Sequence, residues 1–425
     1  MQKAPVPEHR AQRAPTACRV AWRPVARLAA VCLLGVGARP AALVAQPQPG
    51  ATPGGGAPAV GPPANHDPER AEVVTRDVHN FWRAYDAAQR APDSAARVAA
   101  YRDLYIRAGS PGLADWTRSR LADPRTVLQA LATRGWPEAR FFRAWEAPAT
   151  DTAHVALLAA AGPVVEQSGA EQMAAAVARR PRFYAAIRRG TLALDSLGGA
   201  VAQIRGRYRH LAALYPDAVF PPVYFLIGRL TSGGTTGPSG MLLGAEMRGA
   251  DAATPRDELT AWERGVVGDA SGVPRLVAHE LVHAEQEFAR AGRANVDARG
   301  DKTLLAQALD EGCADFLADL TSDPADADRA ALGGADLGVG YGAYGRAHER
   351  ELWQEFRPVM LGTDTKGWLY QGDASKGRPA DLGYFVGARL CRAYYERAPD
   401  KRKAVREILV MADPQAFVTA SGYAP

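Results

Sequence analysis

Cysteine is scarce in this chain. Of its four cysteines, Cys18 and Cys32 fall within the first 45 residues, which leaves Cys313 and Cys391 for the rest. Two cysteines in about 360 residues cannot staple a disulfide framework, nor do they make a cysteine-type zinc site. In an oxidising compartment they could pair or stay as small buried apolar residues, and the sequence leaves that open. Long apolar runs are missing as well. The run from Leu28 to Gly37 is too short to cross a bilayer, and Arg39-Pro40 follows it. Beyond residue 45 no basic stripe is interleaved with aromatics, so nucleic acid is not an expected partner.

The positive excess sits at the front. Residues 1–45 hold seven Lys/Arg and one Glu, a net +6, so the formal +5 of the chain becomes −1 without them. Lys3, Arg10, Arg13, Arg19, Arg23 and Arg27 come first, then the apolar run, then Leu43-Val44-Ala45 as a small-residue cleavage site before Gln46. This is the layout of a secretory signal peptide; it predicts a periplasmic or secreted protein with no membrane span after cleavage. Residues 46–67 are Pro, Gly and Ala with little apolar bulk, and are expected to form a disordered linker.

The remainder predicts an α+β protein, predominantly helical. Residues 68–215 read as a helical lobe: Val78, Phe81, Trp82 and Tyr85 recur at helical spacing, as do Tyr101, Leu104 and Tyr105. Punctuation falls at Gly109-Ser110-Pro111-Gly112, Gly135-Trp136-Pro137 and Gly162-Pro163. His79, His154 and His210 lack metal-like neighbours and read as ordinary residues. A second domain is expected over 216–425. It opens with a β-prone run from Val223 to Gly228, a hairpin-type loop over Gly233-Gly234-Thr235-Thr236-Gly237, and a strand from Met241 to Glu246. A helix then starts near Pro274, another spans 302–320, and further helices cover 347–356 and 382–397.

The first of these helices carries His279-Glu280-Leu281-Val282-His283. Residues four apart on a helix share a face, so His279 and His283 can hold one metal ion. Glu280, about 100° round the helix, can reach a metal-bound water without ligating the ion. Among eight histidines such a word arises by chance on the order of once in a hundred chains, so its context decides. A catalytic zinc needs a third ligand. Gln286 and Ala289 occupy the places a third ligand would take in the H-x₂-G-x₂-H arrangement. The next helix offers Glu311-Gly312-Cys313-Ala314-Asp315, in which Glu311 and Asp315 share a face. Glu311 would complete a two-histidine, one-glutamate set, with Asp310 and Glu287 as alternatives. Asp315 would accept a hydrogen bond from a ligating imidazole. Gly312 and Ala314 predict a close approach to the histidine-bearing helix.

H-E-x-x-H followed by E-x-x-x-D on a later helix resembles the gluzincins, the thermolysin-like zinc peptidases. Gly233-Gly234-Thr235, the 241–246 strand, Ala308-Leu309-Asp310-Glu311-Gly312 and Gly383-Tyr384 are similar to a bacterial family of predicted zinc proteases. The resemblance implies a zincin-like catalytic domain with one Zn²⁺ on His279, His283 and Glu311, and Asp315 behind them. It implies Glu280 as general base and peptide-bond hydrolysis by a zinc-activated water. The chain departs from thermolysin at Asp310, where that group has Asn, and no histidine donor for the oxyanion can be placed. Tyr384 and Arg389 are the candidates for that role. Leu243, Gly244 and Ala245 are expected on a sheet edge that pairs with an extended peptide substrate. Two other classes stay open: a non-catalytic, zinc-braced binding protein, and a zinc hydrolase of a non-peptide amide or ester. Glu280 argues against the first, since a structural site has no use for a base.

Overall fold

The computed structural model describes residues 64–146, 152–194, 198–290, 301–322, 341–373 and 377–425. The segment read as a signal peptide, residues 1–45, and residues 46–63 of the expected linker lie outside the described residues. The end of the expected linker is tied down: the Asn65 carbonyl accepts from the Phe220 amide at 2.7 Å, and His66 Nδ1 meets the Ala218 carbonyl at 2.7 Å. Order therefore begins before residue 68, because the 218–220 backbone supplies partners that composition cannot reveal.

Helices dominate, with one small sheet. The helix Arg76–Gln89 buries Val78, Phe81 and Trp82 on one face. Phe81 meets Tyr105 edge-on at 5.4 Å, and the Tyr105 hydroxyl in turn clamps Ile227. It donates to that residue's carbonyl at 2.6 Å and accepts from its amide at 2.8 Å. The first helices thus share a core with the sheet, and one main cluster runs from Ala71 to Phe417. The boundary expected at 215 is not a break in packing. Only residues 122–165 gather a core of their own, around Val127, Leu131, Phe141 and Leu157.

One expected interruption falls differently. The helix Thr152–Arg179 runs straight through Gly162-Pro163. Pro163 costs it the hydrogen bond to the Ala159 carbonyl. The helix is held at both ends, by Leu157 in the small cluster and Met173 in the main one. The helix expected at 347–356 is present as Glu349–Phe356, and a separate short helix, Tyr341–Ala347, precedes it.

Four strands form the sheet: β1 Val73–Val74, β2 Val223–Leu226, β3 Gly234–Gly237 and β4 Gly240–Gly244, in the order β1-β2-β4-β3. β1, β2 and β4 are parallel, with Val73 opposite Val223 and Val223 opposite Met241. β3 turns back antiparallel, with Thr235 opposite Leu242. All of β2 is buried, as befits a strand covered on both faces. The glycine-rich 233–237 segment is therefore not a loop joining β2 to β4. It is the edge strand itself, and β4 threads between it and β2.

The turn from β2 towards β3 is pinned by a buried carboxylate. Glu246 accepts from the Gly228 amide at 2.8 Å and the Leu230 amide at 3.1 Å. Burial pushes this carboxyl up from 4.5 to about 7, the backbone donors opposing it. The folded chain thus holds this proton more tightly than the unfolded chain does. Glu246 favours folding fully below pH about 4.5, and that contribution, on the order of 3 kcal/mol, is lost as pH rises through about 7. Glu246→Gln cannot titrate. Its stability relative to wild type in urea unfolding should therefore improve between pH 5 and 8, and a gap that stays constant with pH refutes the assignment.

Three long helices complete the frame: the histidine helix Val273–Arg290, the acid helix Leu304–Leu320 and the tyrosine helix Leu382–Arg397. The histidine helix packs on β3, β4 and the acid helix, and the acid helix packs most extensively on the tyrosine helix. That last contact is backbone to backbone. A Cβ on Gly387 would lie 1.9 Å from the Ala308 carbonyl oxygen, and one on Gly312 would lie 2.3 Å from the Ala388 nitrogen. The close approach expected of Gly312 is thus made to the tyrosine helix, not the histidine helix. The Glu311 and Asp315 side chains span the gap to the histidines, and residue 312 faces about 100° away. Cys313 and Cys391 pair across the same seam, with Cα atoms 5.8 Å apart. No described helix is long and apolar enough to cross a membrane.

Candidate metal centre

The histidine helix begins beyond a 3-10 turn, Ala270–Gly272, that Asp269 caps by accepting from the Ser271 amide. Leu276, Val277, Leu281 and Val282 bury its apolar face. His279 and Glu280 are themselves only 7 % exposed, so their polar atoms must find partners within the protein. Thr303 caps the acid helix by accepting from the Ala306 amide, which sets the phase that brings Glu311 and Asp315 to the histidines.

His279, His283 and Glu311 converge. Nε2 of His279 lies 3.1 Å from Nε2 of His283, and Glu311 Oε2 is 3.5 Å and 3.2 Å from the two nitrogens. Ligands at zinc-like bond lengths of about 2.0–2.1 Å on tetrahedral corners would stand about 3.3–3.4 Å apart. The donor set fits such an ion. Among the described residues this is the one group of His, Cys, Asp and Glu with metal-holding geometry. Asp310 points elsewhere, onto Arg290 at 2.7 Å.

Both rings are oriented from behind. His279 Nδ1 is 2.9 Å from Asp315 Oδ1, and His283 Nδ1 is 3.0 Å from Gln286 Oε1. With Nδ1–H donated to those oxygens, each Nε2 faces the centre. Gln286 is itself held by donating to the Asp310 carbonyl at 3.0 Å. Asp315 also accepts from Arg275 Nη2 at 3.1 Å and from the Tyr341 hydroxyl at 2.5 Å. Arg275 reaches Asp319 as well, at 2.7 Å.

These contacts set the charges. Burial opposes protonation of His279, but hydrogen bonds to Asp315 and Glu311 outweigh it and push the ring up to about 10. Burial likewise opposes protonation of His283, and the Glu311 carboxylate brings it up to about 9. Both Glu311 and Asp315 resist ionisation through burial, yet lie well below the usual carboxylate range. His283 and His279 stabilise the Glu311 anion, and Arg275 and His279 stabilise that of Asp315. Glu280 is raised by burial, with His279, His283 and Arg120 pulling the other way. It has the character of a base near the centre that is not one of the converging ligands.

Tyr384 is brought to the site. Its ring lies parallel to that of His279, with centroids 6.4 Å apart. Arg389 is not: it pairs with Glu349 at 2.6 Å, a carboxylate that also receives the Tyr423 hydroxyl. Leu243, Gly244 and Ala245 are likewise not on an edge. β4 is bonded on both sides, and Ala245 already belongs to a 3-10 turn; Leu243 and Ala245 are 2 % and 1 % exposed. The sheet edge nearest Glu280 is β3: a Cβ on Gly234 would sit 2.3 Å from Glu280 Oε1. His154 and His210 bond backbone carbonyls away from the centre, Ala144 at 2.9 Å and Thr321 at 3.0 Å.

Several site residues escaped sequence reasoning. Arg275, one turn before His279, and Gln286, three residues after His283, carry a helical-spacing signal that could have found them. Tyr341 and Tyr370 carry none. Tyr370 Oη stands 3.5 Å from Glu311 Oε1, and its amide donates to Asp381 at 2.7 Å. Both Tyr370 and Asp381 adopt positive φ, 63° and 64°. Comparison with known proteins adds no name to this geometry: no family model, curated protein or solved structure matches the chain.

Proposed function

We propose that this chain is a zinc-dependent peptidase of zincin-like architecture that works in the periplasm or outside the cell. The observation that carries the proposal is the convergence of His279, His283 and Glu311 at tetrahedral spacing, with Glu280 beside them and outside the ligand set. Two imidazoles and one carboxylate suit zinc and leave a coordination position open. When bound, the ion supplies Lewis acidity, acidifying water and polarising a carbonyl. Asp315 and Gln286 orient the imidazoles. Glu280 accepts a proton from water at its carboxylate and delivers it to the leaving amine. The Tyr384 ring stacks beside His279 and the Tyr370 phenol stands near Glu311, and either can donate to the developing oxyanion. An extended peptide adds to β3, which places its scissile bond opposite Gly234 and Glu280. The Cys313–Cys391 bond and the signal-peptide layout both favour an oxidising compartment.

Metal removal tests this reading. 1,10-Phenanthroline should stop cleavage of a mixed peptide library, and one equivalent of zinc per chain should restore it. A zinc-braced binding protein would instead lose its fold on chelation and cleave nothing. That class is disfavoured because ion pairs also join the histidine and acid helices, Arg275–Asp315 at 3.1 Å and Arg290–Asp310 at 2.7 Å.

A further inference from the structure

Arg120 has no part in the hydrolysis outlined above, yet it contacts the same strand. It belongs to the π-helical turn Thr117–Leu121, and Arg229 holds that turn by donating from Nε to the Arg120 carbonyl at 3.0 Å. Arg120 Nη2 donates to Thr235 Oγ1 at 3.1 Å. The guanidinium is therefore anchored on β3 one residue from Gly234, whose backbone rests on Glu280. Its Nε is buried without a hydrogen-bond partner. No described carboxylate forms an ion pair with it, and the charge that most affects it is Glu280. Arg275, by contrast, is fully committed to Asp315 and Asp319.

A guanidinium is permanently charged and presents five donors in a planar fork that matches a carboxylate. To enclose one beside a substrate edge without an acidic partner is costly, unless an anion arrives with the substrate. We propose that Arg120 binds a substrate carboxylate next to the bond that is cut. Neighbouring positions on a strand are about 3.4 Å apart, so an anion met at Thr235 lies within one residue or so of a bond placed at Gly234. A free C-terminus and an Asp or Glu side chain both present this chemistry. The inference rests on the peptidase reading for where the scissile bond sits, but its test does not need turnover.

Three probes separate the sources: acetyl-trialanine, its C-terminal amide, and that amide with aspartate in the middle position. Their binding is measured by calorimetry on zinc-loaded Glu280→Gln protein. A preference of about tenfold or more over the plain amide is expected for the free acid if the terminus is read, or for the aspartyl peptide if a side chain is read. Arg120→Gln in the same background should reduce the preferred probe to the level of the plain amide. Arg120→Lys keeps a charge without the fork, should retain part of the preference, and serves as the readout if the glutamine variant does not fold. Equal binding of all three probes to the parent protein overturns the proposal, as does a preference that survives Arg120→Gln. A uniform loss across the probes in Arg120→Gln would make the residue a prop for β3 and also overturns it. Failure of the wild type to cleave any peptide counts against the peptidase reading alone.

Discussion

Glu280→Gln should lose peptide hydrolysis by on the order of a thousandfold in kcat while still binding one zinc per chain. The amide has the shape of the carboxylate but cannot take a proton from water. Shape matters here, because Glu280 is enclosed and Gly234 lies directly against it. The proposed ligands are His279, His283 and Glu311, so metal content should not fall with activity. Steady-state kinetics on a cleaved peptide, paired with elemental analysis of the same sample, reads both quantities. Residual activity within tenfold of wild type would falsify the role given to Glu280. Loss of zinc together with activity would place Glu280 among the ligands instead.

Gly387→Ala should destabilise the fold by about 3 kcal/mol or more, a large cost for one methyl group. The added Cβ would meet the Ala308 carbonyl at 1.9 Å and the Gly312 Cα at 3.1 Å. Both are backbone atoms, so relief requires the acid and tyrosine helices to separate. The acid helix carries Glu311, and the tyrosine helix carries Tyr384, so zinc affinity should weaken along with stability. Gly265→Ala is the natural control. Gly265 lies within the helix Ala261–Val266, with nothing within 4 Å of its would-be Cβ. The same substitution there should raise stability by several tenths of a kcal/mol. Urea unfolding of the two variants decides the matter: a mild effect at Gly387 would mean the seam can open without penalty.

The sequence exposed the residues whose chemistry depends on spacing within one helix. His279 and His283 four apart, and Glu311 and Asp315 four apart, are readable because helical geometry alone puts each pair on a face. That these two faces meet is expected from the third ligand a zinc site needs and from the resemblance, and the 3.1–3.5 Å convergence gives it physical content. The tyrosine helix was legible over its full length because Gly and Tyr residues did not disturb its period. What escaped was pairing between distant segments. β1 is two residues long and has no pattern of its own; only its partner β2 makes it a strand. β3 hid because Gly234-Thr235-Thr236-Gly237 has the composition of a turn, and its strand state comes from Leu242 and Leu243 across the ladder. Missing β3 moved the expected edge onto β4, and with it Leu243, Gly244 and Ala245. Arg389 was misplaced because a helix period says which face a residue is on but not what lies opposite that face.

The sheet's two edges have different histories in the life of the chain. β1 leaves the ribosome roughly 150 residues before the strand it pairs with, so it must wait through nearly the whole run of early helices for Val223. Loop closure over such a distance grows only logarithmically in free energy, so the delay weighs on folding speed more than on stability. β3 and β4 follow one another directly and can zip as they emerge. The edge beside Glu280 is thus built locally and late, while the β1 edge is the one that waits. Trimming of the N-terminus towards Val73 would act on the slow edge, leaving the hairpin at the candidate metal centre to form by itself.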